Sequence, residues 1–399
     1  MLTAVNESGR RFSLQGEERL ETLKKLRDKH RFYCEACGKP LILKLGQKVA
    51  WHFAHKPNMS CHGENEPESI VHLEGKRALY HWLNAQGEFP ILEKYIPDIK
   101  QRADLFLHHH PKAIAIEYQC SNLTPQRFME RMAGYLSLNI RPIWILGENR
   151  LKNYGSYIYR WHLTEELLLN RKGKPYALFF SATSNRFIIL HHFWPLASST
   201  VVADRTEIPA EEFHLHDLWQ PPLLSHDLPQ KAQIWLQQKS KWRTRKSEHP
   251  SRLERYVLAI CKKRGLPFES FPAYIGLPIP EALPIASPPF LWQAWLILQF
   301  IHRRPLGSIL HVDAITKSVL TLADRKLMVL RENSNCREGV SKAIERYLSA
   351  LLTFGIVEKT NAGYVVMKEV AWTSQNLADH QREDERILYK WLAEKNAYC

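Results

Sequence analysis

The chain has 399 residues, 45% of them hydrophobic and 24% charged, which is enough for two or three packed cores and excludes a disordered chain. Its 55 Lys and Arg against 41 Asp and Glu leave a net charge of +14, a balance that suits a polyanion such as DNA, because phosphate contacts release counterions. No run of about 18 apolar residues is present, which excludes a membrane-spanning helix. The N-terminus MLTAVNESGRRFSLQ has no apolar signal core, and the odd count of 7 cysteines does not suggest a disulfide framework, so a cytoplasmic protein without membrane insertion is expected.

In chain order, Met1 to Leu14 reads as a hairpin turning at Glu7-Ser8-Gly9, followed by a charged helix from Glu17 to Lys29. Residues 31–62 are short-strand, turn-rich sequence. They contain Cys34-x-x-Cys37, Gly38, Trp51-His52-Phe53-Ala54-His55 and Cys61. Two cysteines two residues apart hold one edge of a metal tetrahedron, and Cys61 with one histidine supplies the other. His52 alternates away from Trp51 and Phe53, whereas His55 closes the strand; His55 is the preferred ligand and His52 the alternative. Four protein ligands close the coordination sphere, so such a metal is structural. Two buried cysteines beside unrelated histidines are the competing reading.

Residues 67–150 run helix, strand, strand, helix, strand. The first helix starts at Pro67 and continues to Asn84. Val71, Glu74, Ala78 and Trp82 lie on one face of it, placing Glu74 on or beside the core stripe. His72 and Lys76, four apart on the next face, read either as phosphate contacts or as ordinary helix surface. Arg102–Leu107 and Ala113–Gln119 form the strand pair, Thr124 and Pro125 cap the second helix, and Pro142–Leu146 is a strand ended by Gly147. In the second strand, period two sets Glu117 and Gln119 on the face of Ala113 and Ala115, opposite Ile114, Ile116 and Tyr118. A carboxylate inside so apolar a strand needs a compensating charge. Asp104 on the adjoining strand completes a pair that suits Mg2+ or Mn2+ at a phosphate. Beyond these, Ser121 and the pair Arg127 and Arg131, i and i+4 on the second helix, are read as phosphate contacts, against an ordinary basic face.

Residues 151–230 show poor periodicity and are expected to be a mixed insert or linker. Residues 231–399 are helical in pattern, with Leu291–Ile301 a buried helix. Lys239, Lys241, Arg243, Arg245 and Lys246 surround Trp242, a pattern that suits single-stranded nucleic acid or a solvated linker. A helical stripe through Ala343-Ile344, Tyr347-Leu348 and Leu351-Leu352, then Gly355 and a hairpin, gives 310–368 a winged-helix-like form.

The segments Cys34-x-x-Cys37, His52-Phe53-Ala54-His55, His72-x-x-x-Lys76-x-x-Leu79, Arg102-Ala103-Asp104, Ile116-Glu117-Tyr118-Gln119-Cys120-Ser121, Glu130-Arg131, Tyr135 and Trp144-Ile145-Leu146-Gly147 occur in this order. Together they resemble the competence protein CoiA family of transformable Gram-positive bacteria, closely over 1–150 and loosely beyond. The resemblance implies an α/β fold with a PD-(D/E)XK restriction-endonuclease-like core, an N-terminal zinc-finger-like module over 1–65, the nuclease-like domain over 66–150 and a mostly helical C-terminal region. It implies a Mg2+-dependent deoxyribonuclease acting in uptake and recombination of transforming DNA. The acidic motif maps onto Asp104 and Glu117, to which the helix-face reading adds Glu74; Gln119 stands where such nucleases carry a lysine. The alternative is a non-enzymatic mediator with a degenerate nuclease fold, which binds single-stranded or branched DNA and contacts the RecA recombinase and other competence proteins. A third reading makes the N-terminal cluster a zinc-dependent adaptor.

Overall fold

The computed structural model describes all residues except 47–49, 57–58, 60, 62–67, 110, 172, 225–227, 245–246, 332–335, 373–375 and 395–399. Strands Thr3–Asn6 (β1) and Arg11–Ser13 (β2) form the expected hairpin. Its turn is held by the Asn6 side chain, which accepts from the backbone of Ser8 and Arg10, and by Gly9 at φ 78°. Helix Leu20–Lys29 (α1) follows. Strands Phe32–Tyr33 (β3), Pro40–Lys44 (β4) and His52–His55 (β5) complete a five-stranded sheet of order β2-β1-β3-β4-β5.

Helix Ile70–Ala85 (α2) begins where Ser69 caps it by accepting from the His72 amide; Pro67, the expected start, lies outside the described residues. The strands that follow are Ile91–Ile96 (β6), which the sequence reading did not anticipate, Gln101–Leu107 (β7) and Ile114–Gln119 (β8). Helix Pro125–Ser137 (α3), with Thr124 accepting from the Arg127 amide, crosses to Arg141–Gly147 (β9). β6, β7 and β8 pair antiparallel, while β9 runs parallel to β8.

Residues 151–230 correct the expectation of an insert or linker. After Ile158–Arg160 (β10) and the short helix Leu163–Leu167 (α4), strands Tyr176–Ser181 (β11), Arg186–Ala197 (β12) and Thr200–Pro209 (β13) extend the same sheet to eight strands, ordered β10-β13-β12-β11-β9-β8-β7-β6. Their long apolar runs, Tyr176–Ser181 buried throughout, read as strands covered on both faces; such strands lack the alternation that identifies a half-buried one.

The sheet separates α2 from α3. Leu73, Leu79 and Leu83 pack with Leu105, Leu107, Ile114 and Ile116 on one face. Tyr135 packs with Ala103, Phe106 and Ala115 on the other. Leu2, Leu14, Leu23 and Phe53 belong to the α2-side core, so the N-terminal sheet and the central sheet share one hydrophobic interior.

The C-terminal region consists of helices Leu228–Thr244 (α5), Arg252–Arg264 (α6), Pro289–Phe300 (α7), Val312–Asp324 (α8), Cys336–Thr353 (α9) and Leu377–Ala393 (α10) around Trp235, Trp292, Tyr347 and Trp391. A sheet of Ile309–Leu310 (β14), Val357–Thr360 (β15) and Gly363–Val366 (β16), ordered β14-β16-β15, lies among them. β14 pairs antiparallel with β16, which pairs antiparallel with β15 across the terminal hairpin. No described helix is long and apolar enough to cross a membrane.

Candidate metal centre and acidic cleft

Strand β5 ends at His55, directly opposite Leu41 of β4. The loop between β3 and β4 presents Cys34 and Cys37, with Gly38 at φ 66° and its amide bonded to the Cys34 carbonyl. Cys34, Cys37, His55 and Cys61 bring their ligand atoms within 4.8 Å of one another. Cys34 Sγ lies 3.9 Å from Cys61 Sγ, and Cys37 Sγ lies 3.3 Å from His55 Nε2. Bonds of the usual zinc length place ligand atoms about 3.5–3.8 Å apart in a tetrahedron, so this donor set fits such an ion. Burial, reinforced by Arg102 and Lys39, lowers the pKa of His55 and so favours the neutral imidazole that ligates. His52 turns elsewhere, its Nδ1 2.8 Å from the Ala50 carbonyl. Burial opposes ionisation of Cys34, but the charge and hydrogen bond of Arg102 outweigh it and lower the thiol pKa.

The cleft forms where three strands part at one level. β6 and β7 pair on both sides of Glu93 and Asp104 but step over that position, and Glu93 sits in left-handed backbone at φ 50°. β7 and β8 pair only from Leu107–Ile114 to Leu105–Ile116, although both strands continue past the last pair. The Asp104 carboxylate enters the gap and its Oδ2 accepts from the Tyr118 amide at 2.8 Å. A cleft of about 260 Å³ opens here, with Glu68, His72, Asp104, Glu117, Gln119, Ser121, Arg127 and Arg131 in its lining.

Asp104 is held from the α2 side. His72 Nε2 lies 3.2 Å from Oδ2 and Lys76 Nζ 3.7 Å from Oδ1. Burial opposes the Asp104 carboxylate, yet His72 and Lys76 outweigh it and bring its pKa down to about 2. Glu117 is held from the α3 side by Arg131 and by the Tyr135 hydroxyl, both donating to Oε1. For Glu117 burial prevails over Arg131, and its pKa is raised. The two acids thus titrate in opposite directions at one site, an arrangement characteristic of functional centres.

Glu74 is exposed on α2, which corrects its expected position on the core stripe. The buried stripe is Leu73, Lys76, Leu79, Trp82 and Leu83, and the charge at Lys76 disguised its phase. Lys76 is itself 0% exposed and meets Glu68 and Glu93, so it cannot lie on a surface open to phosphate. Glu68, just before the helix, takes the place expected of Glu74; with His72 and Asp104 it forms a cluster of ligand atoms within 4.8 Å. Glu68, Glu93, Arg102 and Tyr135 were not singled out as site residues from the sequence. Their positions depend on distant neighbours, and only the polar residues amid apolar pattern hinted at them.

Gln119 Nε2 donates to the Ser121 carbonyl and hydroxyl at the cleft wall. Arg127 is half-buried in the lining, and Arg131 donates to the Arg102 carbonyl at 3.0 Å. The basic run on α5 is not one surface. Lys239 and Arg243 are buried and converge on Asp384 of α10, Arg243 with two bonds of 2.7 Å. Trp242 stacks on Phe290, Lys241 is exposed, and Arg245 and Lys246 lie outside the described residues. A continuous stacking and phosphate surface over Lys239, Trp242 and Arg243 is therefore corrected: these side chains are built into the helical core.

Three family models match the chain: competence protein CoiA, N-terminal domain over residues 15–64, nuclease-like domain over 68–223 and C-terminal domain over 228–380. The competence protein CoiA of Bacillus subtilis (strain 168) is 30% identical over 373 residues, covering 92% of this chain and 97% of that protein. No solved structure matches the chain. The three matches in chain order, together with the near-full-length relative, show that this chain belongs to the competence protein CoiA family.

Proposed function

We propose that the protein is a divalent-metal-dependent deoxyribonuclease with a PD-(D/E)XK core, acting on incoming DNA during natural transformation. The observation that carries this reading is the opening of Asp104 and Glu117, from adjacent parted strands, into one cleft. The donor set is carboxylate oxygen, which suits a hard cation such as Mg2+ or Mn2+. Glu68, His72 and Asp104 bring ligand atoms within 4.8 Å of one another, which favours a single ion among them. Asp104 and Glu68 would hold that cation from the α2 side, Glu68 in place of Glu74, and Glu117 would approach it from the α3 side of the same cleft. When bound, it supplies Lewis acidity toward the phosphate and lowers the pKa of water. His72, Ser121, Gln119 and Arg127 line the approach and orient the phosphate. Gln119 cannot carry the positive charge of the usual lysine; Lys76 places one 3.7 Å from Asp104. Zn2+ at Cys34, Cys37, His55 and Cys61 serves structure, since four protein ligands leave no open position.

A second reading, a DNA-binding recombination mediator with a degenerate nuclease fold, is favoured by one observation: Oε1 of Glu117 is already engaged by Arg131 and Tyr135. One experiment separates the two. Purified protein is assayed on single-stranded, duplex and branched DNA with Mg2+ and with Mn2+. The nuclease reading expects cleavage that falls at least 100-fold in Asp104→Ala and in Glu117→Ala, with melting temperatures showing that both variants fold. Absence of cleavage on every DNA form, with salt-sensitive binding that survives both substitutions, supports the mediator.

A further inference from the structure

Arg102 stands between the two centres. It is 6% exposed and lies in β7, two residues before Asp104. At one end its Nη2 is 3.4 Å from Cys34 Sγ and its Nη1 is 2.8 Å from Met1 Sδ. At the other its backbone carbonyl accepts from Arg131 Nη2 at 3.0 Å, and the same nitrogen donates to Glu117. A continuous path of polar contacts therefore runs from a metal-ligand sulfur to a carboxylate of the cleft. Charge gives this path a reason. A divalent ion bound by three thiolates and one neutral imidazole carries a net negative charge, and burying that charge is costly unless a cation accompanies it. A guanidinium is suited to the task, being permanently charged and able to donate from several nitrogens at once.

We propose that Arg102 couples the two centres: its guanidinium neutralises the metal–thiolate cluster through Cys34, and this anchor fixes the backbone carbonyl that holds Arg131 against Glu117. Occupancy of the Cys/His cluster then sets how well the cleft binds its own divalent cation, and by thermodynamic reciprocity cation binding in the cleft tightens the cluster. Arg102 is a positioning residue in this scheme: it acts through Cys34 and Arg131. The cleft half of the proposal rests on the cation reading above, whereas the cluster half does not.

The test uses the full chain as wild type, Arg102→Gln and Arg102→Lys, with circular dichroism to verify folding. Zn2+ retention is measured by competition with a chromophoric chelator, and Mn2+ binding by electron paramagnetic resonance on zinc-loaded protein. Arg102→Gln is expected to lose Zn2+ about tenfold more readily than wild type and to bind Mn2+ at least fivefold more weakly while zinc is still loaded. Arg102→Lys, which keeps the charge, recovers most of the Zn2+ retention. A purely structural arginine would not tie the two metals together: in wild type, stripping zinc weakens Mn2+ binding, and in Arg102→Gln that dependence disappears. Unchanged Zn2+ retention in Arg102→Gln overturns the cluster half. Mn2+ binding equal in zinc-loaded wild type and zinc-loaded Arg102→Gln overturns the coupling. Failure of wild type to bind Mn2+ at all overturns the cleft reading and the coupling together, and leaves the cluster half to be decided by the zinc measurement.

Discussion

Lys76, Glu93, Lys239 and Arg243 are all within 5% of complete burial, and each is matched by an opposite charge. Arg243 is the clearest case, because its two bonds to Asp384 tie α5 to α10 and its bond to the Phe271 carbonyl ties α5 to the segment after α6. Removing Arg243 leaves Asp384 to Lys239 alone, 3.0 Å away, and forfeits charge-assisted hydrogen bonds. Arg243→Met is therefore expected to destabilise the fold by roughly 1.5–3 kcal/mol, measured by denaturant unfolding, while any DNA affinity of the folded protein and its salt dependence stay unchanged. A fall in DNA affinity without loss of stability would return Arg243 to the nucleic-acid surface that the sequence suggested. Spacing alone presents Lys239, Lys241 and Arg243 as one patch; it cannot reveal that Asp384, far along the chain, waits for two of them.

At the level of elements, the seam between α2 and β8 sets the geometry of the cleft. Gly75 is the closest point of approach, where an added methyl carbon would fall 1.9 Å from the Tyr118 ring. That ring cannot easily retreat, since its hydroxyl donates to the Phe180 carbonyl of β11 and its backbone amide donates to Asp104. Overpacking of this kind costs about 1–3 kcal/mol. Gly75→Ala is expected to lower Tm by roughly 3–10 °C in calorimetry and to reduce any cleavage activity, because α2 also carries His72 and Lys76. An unchanged Tm would show that the helix shifts freely along the sheet. The period-two reading of β8 was legible in the sequence: Ile114, Ile116 and Tyr118 face α2 and Ala115 faces Tyr135. The phase of α2 was not, because its stripe includes a lysine, and β6 was not, because the irregular backbone at Glu93 interrupts its alternation.

Across the whole molecule, Glu93 links the N-terminal sheet to the central one. Its carboxylate accepts from the Leu2 amide at 2.7 Å, from the Thr3 amide at 3.1 Å and from the Thr3 hydroxyl at 3.0 Å, and it also meets Lys76. Burial opposes its ionisation, but Lys76 prevails, and the folded pKa falls from the ordinary 4.5 to about 2. A depressed carboxylate contributes stability that is fully present above its unfolded pKa and is lost as pH falls through the folded value. Acid unfolding of wild type between about pH 4.5 and pH 2 is thus expected to be steeper than that of Glu93→Gln, which starts less stable at neutral pH. Parallel acid profiles, followed by fluorescence, would refute this role for Glu93.

The sequence by itself determined what local chemistry can encode. It carried the Cys-x-x-Cys knuckle with Cys61 and a choice between His52 and His55, the alternation of β8 around Glu117, the cap at Thr124 and Pro125, and the helix-and-hairpin pattern near the C-terminus. Each is a short motif or a run of backbone periodicity; the longest reach is the 27 residues from Cys34 to Cys61, bridged in the sequence by ligand type alone. Tertiary structure alone decided which acids share the cleft, that Glu68 rather than Glu74 approaches Asp104, that β10 to β13 continue the central sheet, and that Arg102 reaches both Cys34 and Arg131. Each of those outcomes depends on contact with a remote segment, a buried charge against its partner or an apolar strand against its neighbour, and the energy of such a contact is a property of the folded pair rather than of either stretch of chain.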